Sequence, residues 1–310
     1  MATKQIKNKL TVALRPISNH RIRIIRLIVQ FIMFGLINGL VFGLARSPVL
    51  LPIEYPTGGQ FTTVWNAFEA LQYAITFWIF PYLAIAIFVL FGTIFGKTSC
   101  GWICPFGLFQ DLFSFIPIKK KKVSRPTNKN LSRIGLTLVG FILIFSFIIG
   151  VTYSRNPTDA QKAAFGAGKD MPYSTIDPVS TLFATLYYYL RWGMQSDSLG
   201  AEIGDWRFIF FLRLFILIAV LVLIILYPRA YCRWICPSGA ILGIFSRYSL
   251  FGLRINKNRC ISGCNECEKA CPVQVPILTY DKDITNKMCT NCGECIDACK
   301  EGALKLTFRF

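Results

Sequence analysis

Four stretches of the chain are apolar over the length that crosses a lipid bilayer. They cover residues 24–44, 71–95, 134–153 and 208–227. Because a helix needs about 20 apolar residues to span the hydrocarbon core, each stretch predicts a transmembrane helix. The first is too long for a cleaved signal peptide, so we expect it to remain as an anchor. The pattern predicts an α-helical membrane protein with four transmembrane helices.

A fifth apolar stretch, residues 180–192, is too short to span a bilayer. It contains four aromatic side chains that suit a membrane interface: Tyr187, Tyr188, Tyr189 and Trp192. We therefore expect an interfacial helix on the outer face of the membrane. A fifth span would place the two ends of the chain on opposite sides of the membrane.

Lys and Arg residues are concentrated in three segments. These are the first 26 residues, residues 119–133 and residues 229–259, whereas the other two connections are poor in Lys and Arg. The positive-inside rule therefore places both termini and the middle connection in the cytoplasm. The net charge of +18 is explained by this distribution, so we expect no nucleic-acid partner. A hydrophobic fraction of 54% also favours a multi-pass protein of the cytoplasmic membrane over a soluble domain.

Two motifs of one pattern follow the second and fourth apolar stretches. They are CGWICPFG at residues 100–107 and CRWICPSG at residues 232–239, and we call them the WICP motifs. Each motif closes a unit of span, outer loop, span and cytoplasmic segment. Residues 1–255 are therefore predicted as a membrane domain of two parallel repeats, about residues 21–122 and 133–254, related by an axis along the membrane normal.

Four thiols of these motifs are predicted to meet at the cytoplasmic membrane surface. We call them the WICP cysteines: Cys100, Cys104, Cys232 and Cys236. Together they would bind an iron–sulfur cluster or another soft metal, or form a redox-active dithiol. The plain alternative is small buried cysteines beside interfacial tryptophans. The repetition of the whole pattern favours a functional site.

The backbone of each WICP motif has two candidate conformations. A helix that continues through the motif places both cysteines on one face, since they are four residues apart. A helix that breaks there places Pro105 and Pro237 at the first helical position. Cys104 and Cys236 then lie at a helix N-terminus.

Residues 256–310 contain eight cysteines in two runs, at residues 260–271 and 289–299. The spacing Cys-x2-Cys-x2-Cys-x3-Cys binds one [4Fe–4S] cluster by three thiolates, and the fourth thiolate reaches the other cluster. The first cysteine set is then Cys260, Cys264, Cys267 and Cys299. The second cysteine set is Cys271, Cys289, Cys292 and Cys295. We expect a small cytoplasmic α+β domain of the bacterial two-cluster ferredoxin type.

The ferredoxin-like segment departs from this spacing in two places. Three residues separate Cys260 from Cys264 instead of two, and Gly263 allows the loop to absorb the extra residue. Lys300 stands where proline is common. Structural zinc is the alternative ligand, because sites of four cysteines also bind zinc. The single histidine, His20, excludes a haem with two histidine ligands from one chain.

These residues resemble the membrane-bound polyferredoxins, which include NapH-type proteins, the carboxy-terminal half of NosR-type proteins and CcoG-type proteins. The resemblance rests on paired Cys-x3-Cys-Pro motifs at span exits, followed by a two-cluster ferredoxin segment. It covers most of the chain. It implies electron transfer between a membrane quinone pool and a partner redox protein, within a larger complex.

The leading hypothesis is an electron-transfer subunit, and with it a component of a quinol oxidoreductase. Electrons would pass between quinone, the WICP cysteines and two [4Fe–4S] clusters. Glu69 and Asp111 are candidate proton acceptors, although no quinone-binding motif is visible. Two alternatives are left open. One is reduction or handling of copper or another metal ion in metalloenzyme assembly, and the other is a redox-sensing membrane scaffold.

Overall fold

A computed structural model describes residues 21–45, 49–56, 62–118, 120–154, 172–174, 176–186, 206–261 and 263–309. His20 and the four aromatic residues from Tyr187 to Trp192 lie outside the described residues. The described part is mostly helical, and its C-terminal end forms a small ferredoxin-like region.

The first half of the chain begins with helix α1, Arg21–Ile37, and a 3₁₀ turn, Gly39–Phe42. Strand β1, Leu50–Leu51, then pairs in parallel with β2, Trp65–Asn66. Four helices follow, and they are α2, Ala67–Thr76; α3, Tyr82–Phe95; α4, Thr98–Trp102; and α5, Pro105–Ser114.

The second half begins with the long helix α6, Arg125–Ser154. It continues with α7, Pro178–Ser180, which runs into a π-helical turn at Thr181–Thr185. Helix α8, Trp206–Leu226, leads to a second π-helical turn at Tyr231–Ile235 and to α9, Pro237–Phe245.

Helix α6 is, among the residues that the structure describes, the one helix long and apolar enough to cross a membrane. It has 30 residues, and its most apolar window reaches a mean hydropathy of 2.7. Helix α3 and the Phe210–Leu226 part of α8 are apolar but shorter. One predicted span therefore has structural support, and the other three stay predictions.

The single helix predicted over residues 71–95 is wrong. Helix α2 ends at Thr76, and α3 begins at Tyr82. Between them Trp78 adopts a left-handed backbone conformation with φ of 58°, and Pro81 precedes α3. Proline has no N–H group and its ring clashes with the preceding helical turn, so a regular helix does not continue through it. Pro81 was the residue in the sequence that indicated this break.

The connections that follow α1 and α6 turn into the protein interior. Ile53 and Tyr55 from the first connection, and Val179 from the second, share one hydrophobic core with Cys104 and Cys236. The outer interfacial helix predicted over residues 180–192 is therefore wrong for its described beginning. Asp177 holds this segment inside, because its carboxylate accepts hydrogen bonds from the amide and hydroxyl groups of Ser180.

The ferredoxin-like region is closed by a two-stranded antiparallel sheet of β3, Phe251–Ile255, and β4, Leu304–Phe308. Between the strands lie 3₁₀ turns at Lys257–Arg259 and Ile277–Thr279 and the helices α10, Glu266–Ala270, and α11, Glu294–Ala298. Helices α10 and α11 pack against each other around a core that includes Val273, Ile277 and Ile284.

The ferredoxin-like region also packs against α1. The Asp297 carboxylate accepts hydrogen bonds from the backbone N–H groups of Ile22, at 3.2 Å, and Arg23, at 3.1 Å. The first N–H groups of a helix have no partner within the helix. A side chain from the end of the chain thus caps the first turn of its first described helix.

Candidate functional site

The structure brings the four WICP cysteines together in the interior. Each of Cys100, Cys104, Cys232 and Cys236 is at most 5% exposed. Cys104, Cys232 and Cys236 belong to one hydrophobic core, and the thiols of Cys104 and Cys236 both lie close enough to Cys100 and Cys232 to interact electrostatically. The two halves of the chain thus contribute two thiols each to one buried cluster of sulfur atoms.

Both WICP motifs break the helix at the second cysteine. Cys104 is the N-cap residue of α5 and Cys236 is that of α9, each followed by proline at the first helical position. The Cys236 sulfur accepts a hydrogen bond from the N–H of Gly239 at 3.2 Å. Of the two candidate conformations, the structure therefore has the one in which a cysteine lies at a helix N-terminus.

The glycine that ends each WICP motif is required by a close backbone approach. A Cβ atom on Gly107 would lie 2.6 Å from the carbonyl oxygen of Cys100, and one on Gly239 would lie 3.0 Å from that of Cys232. Such contacts are shorter than real Cβ atoms normally make. The glycine therefore lets the helix after the motif pack against the motif's first cysteine.

The tryptophan of each motif is fixed by a hydrogen bond inside the protein. The indole N–H of Trp102 donates to the backbone carbonyl of Asn291 at 3.0 Å. That of Trp234 donates to the side-chain oxygen of Asn128 at 2.9 Å. The tryptophans thus position the motifs against the rest of the protein, a role beyond plain interfacial anchoring.

Polar groups of the first half also bind the second motif. The Gln110 amide donates to the Cys232 sulfur at 2.9 Å, and the Lys97 ammonium group donates to the Cys232 carbonyl at 3.3 Å. Glu54 accepts hydrogen bonds from the N–H and the hydroxyl of Ser238 at 3.1 and 2.7 Å. These contacts join the two halves directly at the thiol cluster.

Two buried carboxylates near the WICP cysteines were missed in the sequence. Glu54 and Asp177 are each 2% exposed, and each lies in a connection between long helices. The backbone oxygen of Glu54 accepts from the Cys104 thiol at 3.8 Å, and Asp177 accepts from the Tyr231 hydroxyl at 3.0 Å. In the sequence, each acid follows an isoleucine and lies near a proline, which is only a weak indication that the acid is buried.

The prediction that Asp111 is a proton acceptor is wrong. Its carboxylate pairs with Arg229 at 2.6 Å and with Arg26 at 3.4 Å. Burial alone would raise the pKa of Asp111, but the two guanidinium groups outweigh burial and lower the pKa below its ordinary value. Asp111 stays ionised and anchors two buried arginines. Glu69 is buried on α2, and its proposed role stays a prediction.

The second cysteine set surrounds one small enclosed cavity. All four of its members line this cavity, together with apolar side chains such as Leu253 and Ile284. Burial raises the pKa of the Cys271 thiol to about 12 and that of the Cys289 thiol to about 11. A cationic metal centre offsets such a cost by binding the thiolate form, so the buried set suits metal binding.

The first cysteine set lies beside the second, since the thiols of Cys267 and Cys295 are close enough to interact electrostatically, and it is more open. Cys267 is buried, Cys260 and Cys299 are half-buried, and Cys264 is exposed. The Cys267 thiol lies close enough to Cys260 and Cys299 to interact electrostatically. Gly263 has a φ of 80° and open space around its Cα, so the extra residue of this run sits in a loop that a glycine tolerates.

Each cysteine set supplies four thiols, one for each iron atom of a [4Fe–4S] cluster. Zinc needs all its sulfur ligands about 2.3 Å from one centre, whereas each thiolate of a [4Fe–4S] cluster binds a separate iron atom. Among the described residues, no three Cys, His, Asp or Glu side chains converge closely enough to bind a single metal ion. The number of thiols in each set fits a cluster.

The segments that carry the second cysteine set contact both WICP motifs. The carbonyl of Thr290 would lie 2.5 Å from a Cβ atom on Gly101, and Arg229 donates to the Thr290 hydroxyl at 2.8 Å. Arg26 donates to the Cys292 carbonyl at 2.6 Å. On the other side, Arg233 donates to the carbonyl of Pro272 at 3.3 Å. The loop at residues 290–292 thus joins the ferredoxin-like region to the thiol cluster.

Comparison with known protein families matches the segments that carry the cysteines. Residues 76–124 and 209–258 each match a family described as a 4Fe-4S binding domain, and each segment contains one WICP motif. Residues 253–276 match a second family of the same description. No solved structure matches the chain.

Several curated proteins are similar to most of the chain. An uncharacterized protein of Methanocaldococcus jannaschii is 28% identical over 72% of this chain and 68% of its own length. The ferredoxin-type protein NapH of Haemophilus influenzae is 23% identical over 74% of this chain and 68% of its own length. The methylamine utilization ferredoxin-type protein MauN of Methylobacillus flagellatus is 23% identical over 83% and 76%.

Fold, cysteine sets and relatives together define the class, an iron–sulfur electron-transfer protein of the ferredoxin type. Within that class, the paired WICP motifs ahead of the ferredoxin-like region place the chain more narrowly. Its matched domains and its relatives NapH and NosR support a polyferredoxin-type family of membrane 4Fe–4S proteins.

Proposed function

We propose that this protein relays electrons between the membrane quinone pool and a partner redox protein through two [4Fe–4S] clusters. The first and second cysteine sets hold the clusters, and four membrane spans, the second of them interrupted between α2 and α3, place both termini in the cytoplasm. The observation that carries this proposal is the contact of the 290–292 loop with Gly101, because it brings the segment that carries the second cysteine set against the first WICP motif.

The order of burial indicates which end of this route meets quinone and which end meets the partner. The WICP cysteines are buried, the second set is buried or half-buried, and the first set includes the exposed Cys264. Quinone dissolves in the membrane and a soluble partner approaches from water. The buried end of the series therefore serves quinone, and the exposed end serves the partner.

The protein sets the reduction potential of such clusters through hydrogen bonds to sulfur and through burial. The N–H of Val275 lies 3.4 Å from the Cys271 sulfur, and the N–H of Gly239 lies 3.2 Å from the Cys236 sulfur. Donors of this kind stabilise the more negative, reduced state. When bound, the clusters supply one-electron transfer, while this chain holds them dry and fixes their distances.

We further propose that the WICP cysteines bind an additional iron–sulfur cluster. Four buried thiols from two related motifs supply a complete set of soft ligands. The 4Fe-4S binding domain family covers both motifs, which supports this assignment. Gln110 and Gly239 donate hydrogen bonds to two of the four sulfur atoms.

The test is an iron and acid-labile sulfide count on protein purified without oxygen, with electron paramagnetic resonance of the reduced sample. We expect more iron than two [4Fe–4S] clusters account for. The double variant C104S/C236S should lose the excess iron and keep the rest. A quinol should reduce the wild-type clusters. Clusters that respond to dithionite but to no quinol contradict the quinone step.

Handling of copper is the second candidate, because thiolates are soft ligands that suit Cu(I), and two of them are enough to bind it. It predicts that the purified protein binds copper at the WICP cysteines and loses this copper in C104S/C236S, while quinol still reduces its clusters. The redox-sensing scaffold is the third. It predicts binding of a partner that depends on the oxidation state of the clusters, without turnover of quinol.

A further inference from the structure

The ferredoxin-like region carries a basic cleft that the electron relay described above does not use. The cleft has a volume of about 510 Å³. Five cationic side chains and one acidic side chain line it: Arg254, Lys257, Arg259, Lys282, Lys305 and Asp281. We call it the distal cleft.

Ion pairs neutralise only part of this charge. Lys257 pairs with Asp281 at 2.6 Å, and Arg254 pairs with Asp283 at 2.6 Å. The remaining three cations, Arg259, Lys282 and Lys305, are exposed and have no ion pair among the described residues. The distal cleft therefore presents net positive charge to solvent.

The distal cleft borders the first cysteine set on two sides. Arg259, which lines the cleft, directly precedes Cys260. Gly302, which also lines it, donates its N–H to the carbonyl of Cys299 at 3.3 Å. Cys264 of the same set is exposed. A protein that fills the cleft thus comes within contact distance of the first cysteine set.

A second basic cleft, of about 490 Å³, lies beside Cys271 of the second set. We call it the proximal cleft. Salt bridges cross it, since Arg125 pairs with Glu268 at 3.2 Å and Arg23 pairs with Glu294 at 3.7 Å. The helical part closes one of its sides, where Lys120 donates to the carbonyl of Ile225. The proximal cleft is similar in size to the distal cleft, but it borders the half-buried Cys271 rather than the first set with its exposed Cys264, which makes it the matched control.

We propose that the distal cleft is the docking site of the redox partner, a soluble one-electron carrier protein whose redox centre is ringed by Asp and Glu side chains. This inference rests on the proposed relay and names its partner class. One electron leaves the reduced first-set cluster, which becomes oxidised, and the partner's centre takes it up and becomes reduced. In the reverse direction the same two groups exchange roles.

The experiment follows reoxidation of the dithionite-reduced full-length protein in detergent by stopped-flow absorbance. The oxidants are two small one-electron probes of opposite charge, the ferric–EDTA anion and the hexaammineruthenium(III) cation. Attraction by a charged cleft raises association rates by about 10- to 1,000-fold at low ionic strength, and salt screens it. For the wild type we expect the anion to react more slowly as salt is added, and the cation to react faster.

The distal variant R259E/K305E should slow the anionic probe at least about tenfold at low salt and speed the cationic probe. The proximal variant K121E/K122E should change either rate less than about twofold. Iron content and paramagnetic resonance check that clusters are intact. The milder R259Q/K305Q should show the same direction with a smaller effect, which keeps the test valid if charge reversal disturbs folding.

A larger effect of K121E/K122E than of R259E/K305E would overturn the proposal and place the docking site beside the second set. Equal rates in all variants would overturn it as well. Because dithionite reduces the clusters directly, these outcomes do not depend on quinone. Failure of quinol reduction with the expected probe pattern would remove the quinone step and leave the docking site standing.

Discussion

The two WICP motifs share both cysteines and the Trp, Ile, Pro and Gly positions, but they differ after the first cysteine and before the final glycine. Gly101 in the first motif allows the carbonyl of Thr290 to approach its backbone. Arg233 in the second motif donates to the carbonyl of Pro272 and packs over the ring of Trp234 at 4.6 Å. The shared cysteines build the thiol cluster, and the residue after the first cysteine makes a different contact with the ferredoxin-like region in each motif.

This difference shows how a nearly symmetric site carries an asymmetric attachment. A small residue on one side makes room for the 290–292 loop, and a long cationic side chain on the other side reaches the segment after Cys271. Both contacts lie on the second cysteine set. The four thiols therefore face one neighbouring set rather than both.

The largest expected effect tests whether the two motifs form one site. Cys104→Ser and Cys236→Ser, made separately, should each remove the excess iron and its paramagnetic resonance signal, since a shared cluster needs all its ligands. Cys260→Ser in the first set is the control and should leave that signal in place. Loss of the signal in one motif variant alone would mean that the motifs bind separate groups.

The next effect distinguishes the motif glycines. Gly107→Ala should destabilise the protein by about 1–3 kcal/mol and Gly239→Ala by less, because overpacking costs grow as the clash shortens. The clashes are with the carbonyls of Cys100 and Cys232, at 2.6 and 3.0 Å. Thermal unfolding in detergent measures both. Gly140→Ala on α6, which has open space, should be neutral, and equal effects of the motif variants would refute the ranking.

The contact between the 290–292 loop and the first motif is tested at Gly101, where the second motif has Arg233. Gly101→Ala should loosen the 290–292 loop, because the new methyl group would lie 2.5 Å from the carbonyl of Thr290. The loop can shift more easily than the motif backbone, so the cost should be below that of Gly107→Ala. Hydrogen exchange should rise at residues 288–293. Unchanged exchange there would show that the contact is not needed for docking.

The smallest effect separates the two tryptophans. Trp102→Phe leaves the carbonyl of Asn291 without its indole donor, which should cost about 1 kcal/mol. Trp234→Phe should cost less, because the Asn128 oxygen keeps a second donor in Arg233 at 2.6 Å. Thermal unfolding of both variants gives the comparison. A larger loss in Trp234→Phe would contradict this account.

The parts that could be predicted from the sequence are those with local signals. The prolines of the WICP motifs pointed to the helix break as one of two conformations, and the structure has that break. Apolar length identified α6. Pro81 carried an equally local signal against a single helix over residues 71–95, although the length of the apolar stretch outweighed it.

The parts that were missed depend on residues far apart in the chain. Asp111 and Arg229 are 118 positions apart, so no residue near Asp111 in the sequence predicted its ion pair with Arg229. Glu54 and Ser238 are 184 positions apart. Both inward-turning connections look like ordinary polar loops in the sequence. Only packing of the two halves shows that Glu54 and Asp177 are buried beside the thiols.

The cap that Asp297 places on α1 joins two segments that are synthesised at different times. The ribosome synthesises Asp297 long after α1, because 275 positions separate Asp297 from Ile22. The first turn of α1 therefore waits for its cap until synthesis has reached the C-terminal end. Folding of α11, which carries Asp297, is thus expected to complete the first turn of α1, so a chain in which α11 has not yet formed would have a frayed first turn.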